Sequence, residues 1–310
     1  MAPDFETQRL RDVHLVPLTA YSETGIHADR QAEHISRMVD AGMRVFLPAA
    51  GTSEFHSLSA DEIVELVRIT REAAGPHVTI FAPVGQQVGF AIEVGKRAVA
   101  AGADGIMFMP FGHPYLSDRG ALAYYREVMQ QVPAPVMIYK KADVPSDNLL
   151  LELARDEQVV GIKYAVNNIH QFRQVVLRDK STTEWLCGSA ERFAPFFMLA
   201  GSRGYTTGAG NLCPRLTIAM HQSFCAGAIE EAMRIQELIL PIENFRARDA
   251  DSFNISMLKH GLKLLGLDFG PPRPPGRVLT SSEEQEIEAM LAPICSAEKS
   301  LSEEMHIAGL

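Results

Sequence analysis

A short apolar run followed by a helix-like stretch recurs eight times along this chain, at intervals of about 25 to 30 residues. The runs are Val13 to Thr19, Arg44 to Ala50, Val78 to Val84, Asp104 to Pro110, Pro135 to Lys141, Val159 to Ala165, Glu184 to Ser189 and Arg203 to Gly210. Amphipathic stretches separate them, and in SADEIVELV the pair Ser59 and Glu62 has the spacing of a capping box, which marks a helix start. Strands that alternate with helices bury a parallel sheet on both faces, and eight units in this length predict a closed (β/α)8 TIM barrel over residues 1–228. An open doubly wound sheet is the competing arrangement, but VPLTAYSETG after the first run has no GxGxxG turn. Beyond about Ala228 the strand signals stop. Residues 229–310 are expected to form a C-terminal helical appendage from AIEEAMRIQELILPIENF, SMLKHGLKLLG and SSEEQEIEAMLAPIC, interrupted by the rigid GPPRPPGR.

Charge narrows the function classes. A formal net charge of -9 argues against a nucleic-acid partner or an acidic membrane surface, both of which require basic protein faces. No uncharged apolar run is long enough to span a bilayer, and MAPDFETQRLRD lacks the apolar core of a signal peptide, so a cytoplasmic location is expected. Cys187, Cys213, Cys225 and Cys295 lie far apart without a CxxC pair and read as reduced, buried thiols. His56, His113 and His170 have no metal-ligand spacing, so neither a metal nor another cofactor is expected.

In a barrel of this kind the reacting groups stand at the C-terminal ends of the strands. VVGIKYA places Lys163 at the end of the sixth run, where enclosure would lower its pKa and supply the neutral amine that attacks a carbonyl. Tyr139 ends the fifth run and could shuttle protons to a carbinolamine. Gly51, Thr52 and Ser53 after the second run offer hydroxyls and backbone N–H groups for a carboxylate. Glu54 beside them would repel that carboxylate and is expected to be structural. Lys140, Gly188, Ser189, Thr207 and Asn211 complete the candidate substrate contacts, with Lys140 or Lys141 available to a distal carboxylate. One lysine, one tyrosine and several hydroxyls on neighbouring strand ends suit imine chemistry on a small 2-oxo acid.

GTSEFHSLSADE, the tyrosine of VMIYKK and VVGIKYA together resemble the dihydrodipicolinate synthase and N-acetylneuraminate lyase superfamily of class I Schiff-base lyases, over nearly the whole chain from LVPLTAY to GPPRPP. The resemblance implies imine formation at Lys163, proton transfer by Tyr139, carboxylate binding by Gly51, Thr52 and Ser53, and a homotetramer built as a dimer of dimers. Within the superfamily the chain is more similar to 5-dehydro-4-deoxyglucarate dehydratases, whose GTGEFFSL corresponds to GTSEFHSL here and whose PYL loop corresponds to HPYLSD. That likeness implies decarboxylating dehydration to 2,5-dioxopentanoate. An aldolase or a dihydrodipicolinate-synthase-type condensation using pyruvate is the alternative, and a non-catalytic small-acid sensor is a further one. The chain departs from the superfamily at three places: Val144 stands where YNVPxR has arginine, Phe111 and Gly112 replace a tyrosine pair after the fourth strand, and Lys140 and Lys141 follow the tyrosine where the dehydratases have asparagine and arginine.

Overall fold

The computed structural model describes residues 5–307, so the outermost parts of the two expected regions, 1–4 and 308–310, lie outside the described residues. Eight parallel strands close into a barrel: β1 (Val13–Leu15), β2 (Val45–Phe46), β3 (Thr79–Val84), β4 (Gly105–Phe108), β5 (Val136–Lys140), β6 (Val159–Tyr164), β7 (Glu184–Cys187) and β8 (Tyr205–Thr207), each hydrogen-bonded to its sequence neighbours and β1 to β8. The helices that follow them are α1 (Ala28–Asp40), α2 (Ala60–Ala74), α3 (Val88–Ala100), α4 (Asp118–Gln131), α5 (Asp147–Leu153), α6 (Ile169–Arg178), α7 (Ala190–Leu199) and α8 (Pro214–Cys225). The expected TIM barrel is therefore the observed fold. The ladders end earlier than the apolar runs do. After β2, for example, Leu47 N–H still reaches Leu15 O, but Ala49 turns to a φ of 60° and the chain leaves the sheet. A small antiparallel hairpin, Tyr21–Ser22 with Gly25–Ile26, occupies the loop after β1.

Local signals act where they were read. Ser59 caps α2 by accepting from Glu62 N–H at 3.3 Å while Glu62 Oε2 accepts from Ser59 N–H at 2.9 Å, which satisfies two helix-end donors. Period-two alternation then sorts the strands. In β5 and β6, Tyr139 is paired with Lys163 and Lys140 with Tyr164, so the first pair shares one face and the second pair the other. Burial of the thiols is less uniform than expected: Cys187 and Cys213 are buried, but Cys225 is exposed and Cys295 half-buried, each lying on a helix face partly open to solvent.

Beyond the barrel, α9 (Ile229–Arg246) packs on α7 and α8, and α11 (Ser281–Ile307) packs on α8, α9 and α10 (Ser256–Leu264). Helix α11 runs well past the expected end at Cys295, and Glu298 in that extension accepts from the backbone N–H groups of Arg215 (3.0 Å) and Leu216 (2.9 Å) in the first turn of α8. A carboxylate there complements the helix dipole. Among the described residues no helix is long and apolar enough to cross a membrane.

Gly204, just before β8, tests how tightly the barrel closes. A Cβ there would run into the carbonyl oxygen of Asp12 and lie 2.9 Å from that of Leu10, and backbone cannot step aside as a flexible side chain can. Gly204→Ala is expected to lower the urea-unfolding free energy by about 2 kcal/mol or more. Gly51→Ala, which meets nothing within 4 Å, is expected to change it by less than about 0.5 kcal/mol.

Candidate active site

Lys163 is buried one residue before the end of β6. Its ammonium nitrogen lies 4.0 Å from the centroid of the Tyr139 ring, and among the described residues it has no ion-pair partner. Burial pushes its pKa down to about 7, with the positive charge of Lys141 adding to the effect and Cys187 opposing it. Roughly half of an amine with that pKa is neutral at pH 7. Gly188 at the end of β7 makes room for it: a Cβ there would sit 3.0 Å from Lys163 Cγ and 2.9 Å from Ala165 Cβ. Tyr139 has its pKa pushed up to about 12 by burial, then by the charges of Asp251 and Cys187.

The loop after β2 forms a short turn of 3-10 helix over Gly51–Ser53. Gly51 is exposed, and Thr52 Oγ1 donates to Asn254 Oδ1 at 3.4 Å. Glu54, in the left-handed region at φ 70°, turns its carboxylate away from this loop's open side. It pairs with Lys259 at 2.8 Å and accepts from Arg273 N–H at 2.7 Å, the structural part expected of it. Lys259 and Arg273 also lie 4.1 and 4.2 Å from the Tyr21 ring centroid. The proline-rich segment is thus tied to the loop after β2 through Glu54 and to the loop after β1 by cation–π contact with Tyr21.

Four expected substrate contacts are corrected by this geometry. Lys140 projects from the outer face of β5. Its ammonium donates to the carbonyls of Ala142 (3.0 Å), Asp143 (3.3 Å) and Pro145 (2.6 Å) and pairs with Asp147 at 3.6 Å, so it holds the β5–α5 loop and has no free donor for a ligand. Asn211 has all four hydrogen-bonding sites occupied. Its Oδ1 accepts from Leu18 N–H (3.1 Å) and His34 Nε2 (2.8 Å), and its Nδ2 donates to Val16 O (3.0 Å) and Gly208 O (2.9 Å). Thr207 also points outward, donating to Glu191 of α7 and accepting from Gly210 N–H. The Ser53 hydroxyl is spent on the carbonyl of Pro17, its N–H donates to Ala50 O at 3.0 Å and its carbonyl accepts from Thr19 at 2.7 Å, so the residue is fully engaged within the protein. Ser189 stays at the rim, donating to Asn167 Oδ1 at 2.5 Å.

Several site-lining groups were not found in the sequence. With Tyr205 bonded outward to Thr217 of α8, strand alternation turns Thr206 inward, while its register partner His14 is spent on the carbonyl of Leu10 at 2.8 Å, on the N-terminal side of the barrel. The phase of β8 was the available signal, since Tyr205 is the residue a helix layer would cover. The other group comes from the C-terminal region. Arg246 lies against Gly208, where its guanidinium occupies the space of a Cβ, and donates to Glu243 and to Asn254 Oδ1 at 2.7 Å. No spacing rule connects those residues with strands some 40 to 200 positions away in the chain. Among the described residues no three His, Cys, Asp or Glu side chains converge as a metal site requires.

A closed (β/α)8 barrel with a buried lysine at the C-terminal mouth of its sixth strand, without an ion pair among the described residues, is the framework of a barrel lyase. The chain belongs to the dihydrodipicolinate synthetase family, whose model matches residues 10–294. It is 29% identical to a probable 5-dehydro-4-deoxyglucarate dehydratase 1 of Streptomyces coelicolor, over 84% of this chain and 85% of that protein. It is 30% identical to a probable 5-dehydro-4-deoxyglucarate dehydratase of Ralstonia nicotianae, over 81% and 82%. Among solved structures, dihydrodipicolinate synthase from Bacillus clausii superposes with a TM-score of 0.89 at 33% identity, covering 93% of this chain and 98% of that one. The enzyme of that name from Oceanobacillus iheyensis gives 0.90 at 31%, covering 94% and 98%. Membership of this family makes the chain a lyase.

Burying Lys163 has a cost in stability whose sign is fixed. A base with a folded pKa near 7 and an unfolded value near 10.5 binds more protons when unfolded, so the cost is full below pH 7, shrinks as pH rises and is gone above 10.5. Lys163→Met removes it. The variant is expected to unfold at higher urea at pH 7, by on the order of 1–4 kcal/mol, with the gain disappearing near pH 10.5.

Proposed function

We propose that this protein is a class I Schiff-base lyase for a 2-oxo-3-deoxy sugar acid, and that its reaction is the decarboxylating dehydration of 5-dehydro-4-deoxyglucarate to 2,5-dioxopentanoate. The observation that carries the reading is Lys163: buried, without an ion pair among the described residues, lowered to a pKa of about 7, and standing against the Tyr139 ring. The names of the relatives support the substrate.

In this reading the neutral Lys163 amine adds to the C2 carbonyl and expels water to give a protonated imine. Tyr139 supplies and recovers the protons of the carbinolamine, while the N–H groups and hydroxyl of Gly51 and Thr52 hold the C1 carboxylate. The iminium draws electrons from C3, whose proton leaves to form an enamine, and the enamine expels the C4 hydroxyl as a second water. The conjugated iminium then takes up the electron pair of the C5–C6 bond as the distal carboxylate departs as CO2. Protonation at C3, tautomerisation of the C5 enol and hydrolysis return the free lysine and 2,5-dioxopentanoate. With Lys140 engaged by its own loop, Lys141, exposed at the end of β5 and close enough for its charge to act on Lys163, is the cation left for the distal carboxylate.

A condensation or aldol reaction through the same imine is the second reading, favoured by the 33% identity to a solved dihydrodipicolinate synthase. Val144 in place of arginine weighs against condensation. The assembly we propose is a cytoplasmic homotetramer. Exposed Leu177 of α6 and Phe196 and Leu199 of α7 form an apolar patch near the ends of adjacent helices, suited to contact with a second copy.

Incubation with 5-dehydro-4-deoxyglucarate should release CO2 and 2,5-dioxopentanoate in equal amounts, and borohydride should trap the intermediate on Lys163. Pyruvate release without CO2 would transfer the assignment to the aldolase reading, and absence of any reduced adduct would end both. Imine formation with pyruvate should rise with pH through about 7, because deprotonation creates the nucleophile. In Lys141→Gln the loss of a neighbouring positive charge should move that rise to higher pH.

A further inference from the structure

Two consecutive pairs of side chains close the junction between α9 and α10. Phe245 meets Phe253 edge-to-face, with ring centroids 5.2 Å apart, and the residue after each completes a hydrogen bond, Arg246 Nη2 donating to Asn254 Oδ1 at 2.7 Å. Between them Asp249, Ala250 and Asp251 take positive φ values of 48°, 52° and 65°, which turns the chain back on itself. Arg246 is buried and paired with Glu243, and its guanidinium fills the space that Gly208 leaves after β8. A side chain at position 208 would displace it. Asn254 Oδ1 accepts a second hydrogen bond, from Thr52 Oγ1 in the loop after β2, at 3.4 Å. Strands β8 and β2 flank β1 in the closed sheet, so the Arg246–Asn254 pair links two strand ends on either side of β1 and finishes on the loop assigned to the substrate's carboxylate.

The two bonds to Asn254 Oδ1 are unequal. The one from Arg246 is charge-assisted and at full strength, whereas the one from Thr52 is longer than the span of about 2.5–3.0 Å usual for O–H···O. An acceptor already supplied by a guanidinium holds a second proton loosely. From this geometry we infer that Asn254, oriented by Arg246, is a positioning residue for the substrate's C1 carboxylate: it keeps the Thr52 hydroxyl in one rotamer, with a proton free to turn to the carboxylate when substrate arrives. The inference rests on the proposed carboxylate role of Thr52. Turning that proton away leaves Asn254 Oδ1 still satisfied by Arg246, so the change of partner strands no buried acceptor and costs little. Because Glu243 offsets the guanidinium's charge, the pair works by hydrogen-bond direction rather than by net charge.

Pyruvate and acetaldehyde separate carboxylate binding from imine chemistry, since both offer a carbonyl to Lys163 and only pyruvate carries a carboxylate. Each condenses with the Lys163 amine to give an imine and water, and borohydride then delivers hydride to the imine carbon to leave a stable secondary amine. In Asn254→Ala the pyruvate concentration for half-maximal trapping is expected to rise about tenfold, as for loss of one hydrogen bond to a charged group. Its limiting rate and its trapping of acetaldehyde should stay within about twofold of the parent. Thr52→Val should show the same rise and the double variant no larger one, because Asn254 acts only through that hydroxyl. Asn254→Asp keeps the shape and the contact with Arg246 but grips the Thr52 proton firmly, so it should bind pyruvate no better than Asn254→Ala; a merely structural role would leave it like the parent. If Thr52→Val weakens pyruvate binding while Asn254→Ala or Asn254→Asp binds it like the parent, the role of Asn254 is wrong and that of Thr52 stands. Equal loss of acetaldehyde trapping in Asn254→Ala would also overturn it. If Thr52→Val binds pyruvate normally, both roles fall while imine formation at Lys163 stands, and a parent protein trapped by neither compound ends the Schiff-base reading itself.

Discussion

The register between β5 and β6, which sets Tyr139 beside Lys163 and Lys140 beside Tyr164, decides what the barrel encloses. A slip of one residue would exchange the two faces and put Tyr164 inside and Lys163 among the helices. Tyr164 prevents it. On the outer face its ring packs against Phe172, Phe197 and Trp185, and its hydroxyl donates to Asp147 at 3.1 Å. A large aromatic with a satisfied hydroxyl between strand and helices outweighs the desolvation of one ammonium on the inner face. The same aromatic cluster that stabilises the wall therefore forces a lysine into a place it would not choose, and the depressed pKa records that compulsion.

The C-terminal helices are coupled to this arrangement. Glu54 holds its left-handed conformation within a set of charges that includes Lys259 and Arg273, both beyond residue 229, and Arg273 also pairs with Glu62 in the capping box of α2. The loop after β2 is thus fixed from behind by residues more than 200 positions away. At β8, Arg246 fills the space that Gly208 leaves open. Calling the region after Ala228 an appendage describes its place in the sequence more accurately than its physical role.

Much of this was legible in the chain. Eight repeats of strand and helix, with no GxGxxG turn after the first, favour a closed parallel barrel over an open doubly wound sheet, and Lys163 and Tyr139 fall at strand ends because apolar runs stop at them. The capping box at Ser59 was equally plain. What could not be read was the direction of short polar side chains. Thr206 and Thr207 are indistinguishable by composition, and only the burial of Tyr205 settles the phase of β8. Lys140 and Asn211 were misread for a related reason: each is a good ligand by chemistry, and each is already saturated by backbone groups brought together by the fold. The contributions of Arg246 and Asn254 were invisible because the segment that carries them owes its position to tertiary packing, with no local pattern to announce it.

The saturation of Asn211 bears on how this protein ages. Loss of ammonia from an asparagine amide replaces two N–H donors with a carboxylate oxygen, and here those donors face the carbonyls of Val16 and Gly208, one on each side of the β1–β8 closure. Two attractive contacts would become repulsive ones inside a buried seam. Full burial and a leucine as the next residue shield the amide from that chemistry. The folded state thus protects a side-chain nitrogen on which the β1–β8 seam relies for two hydrogen bonds.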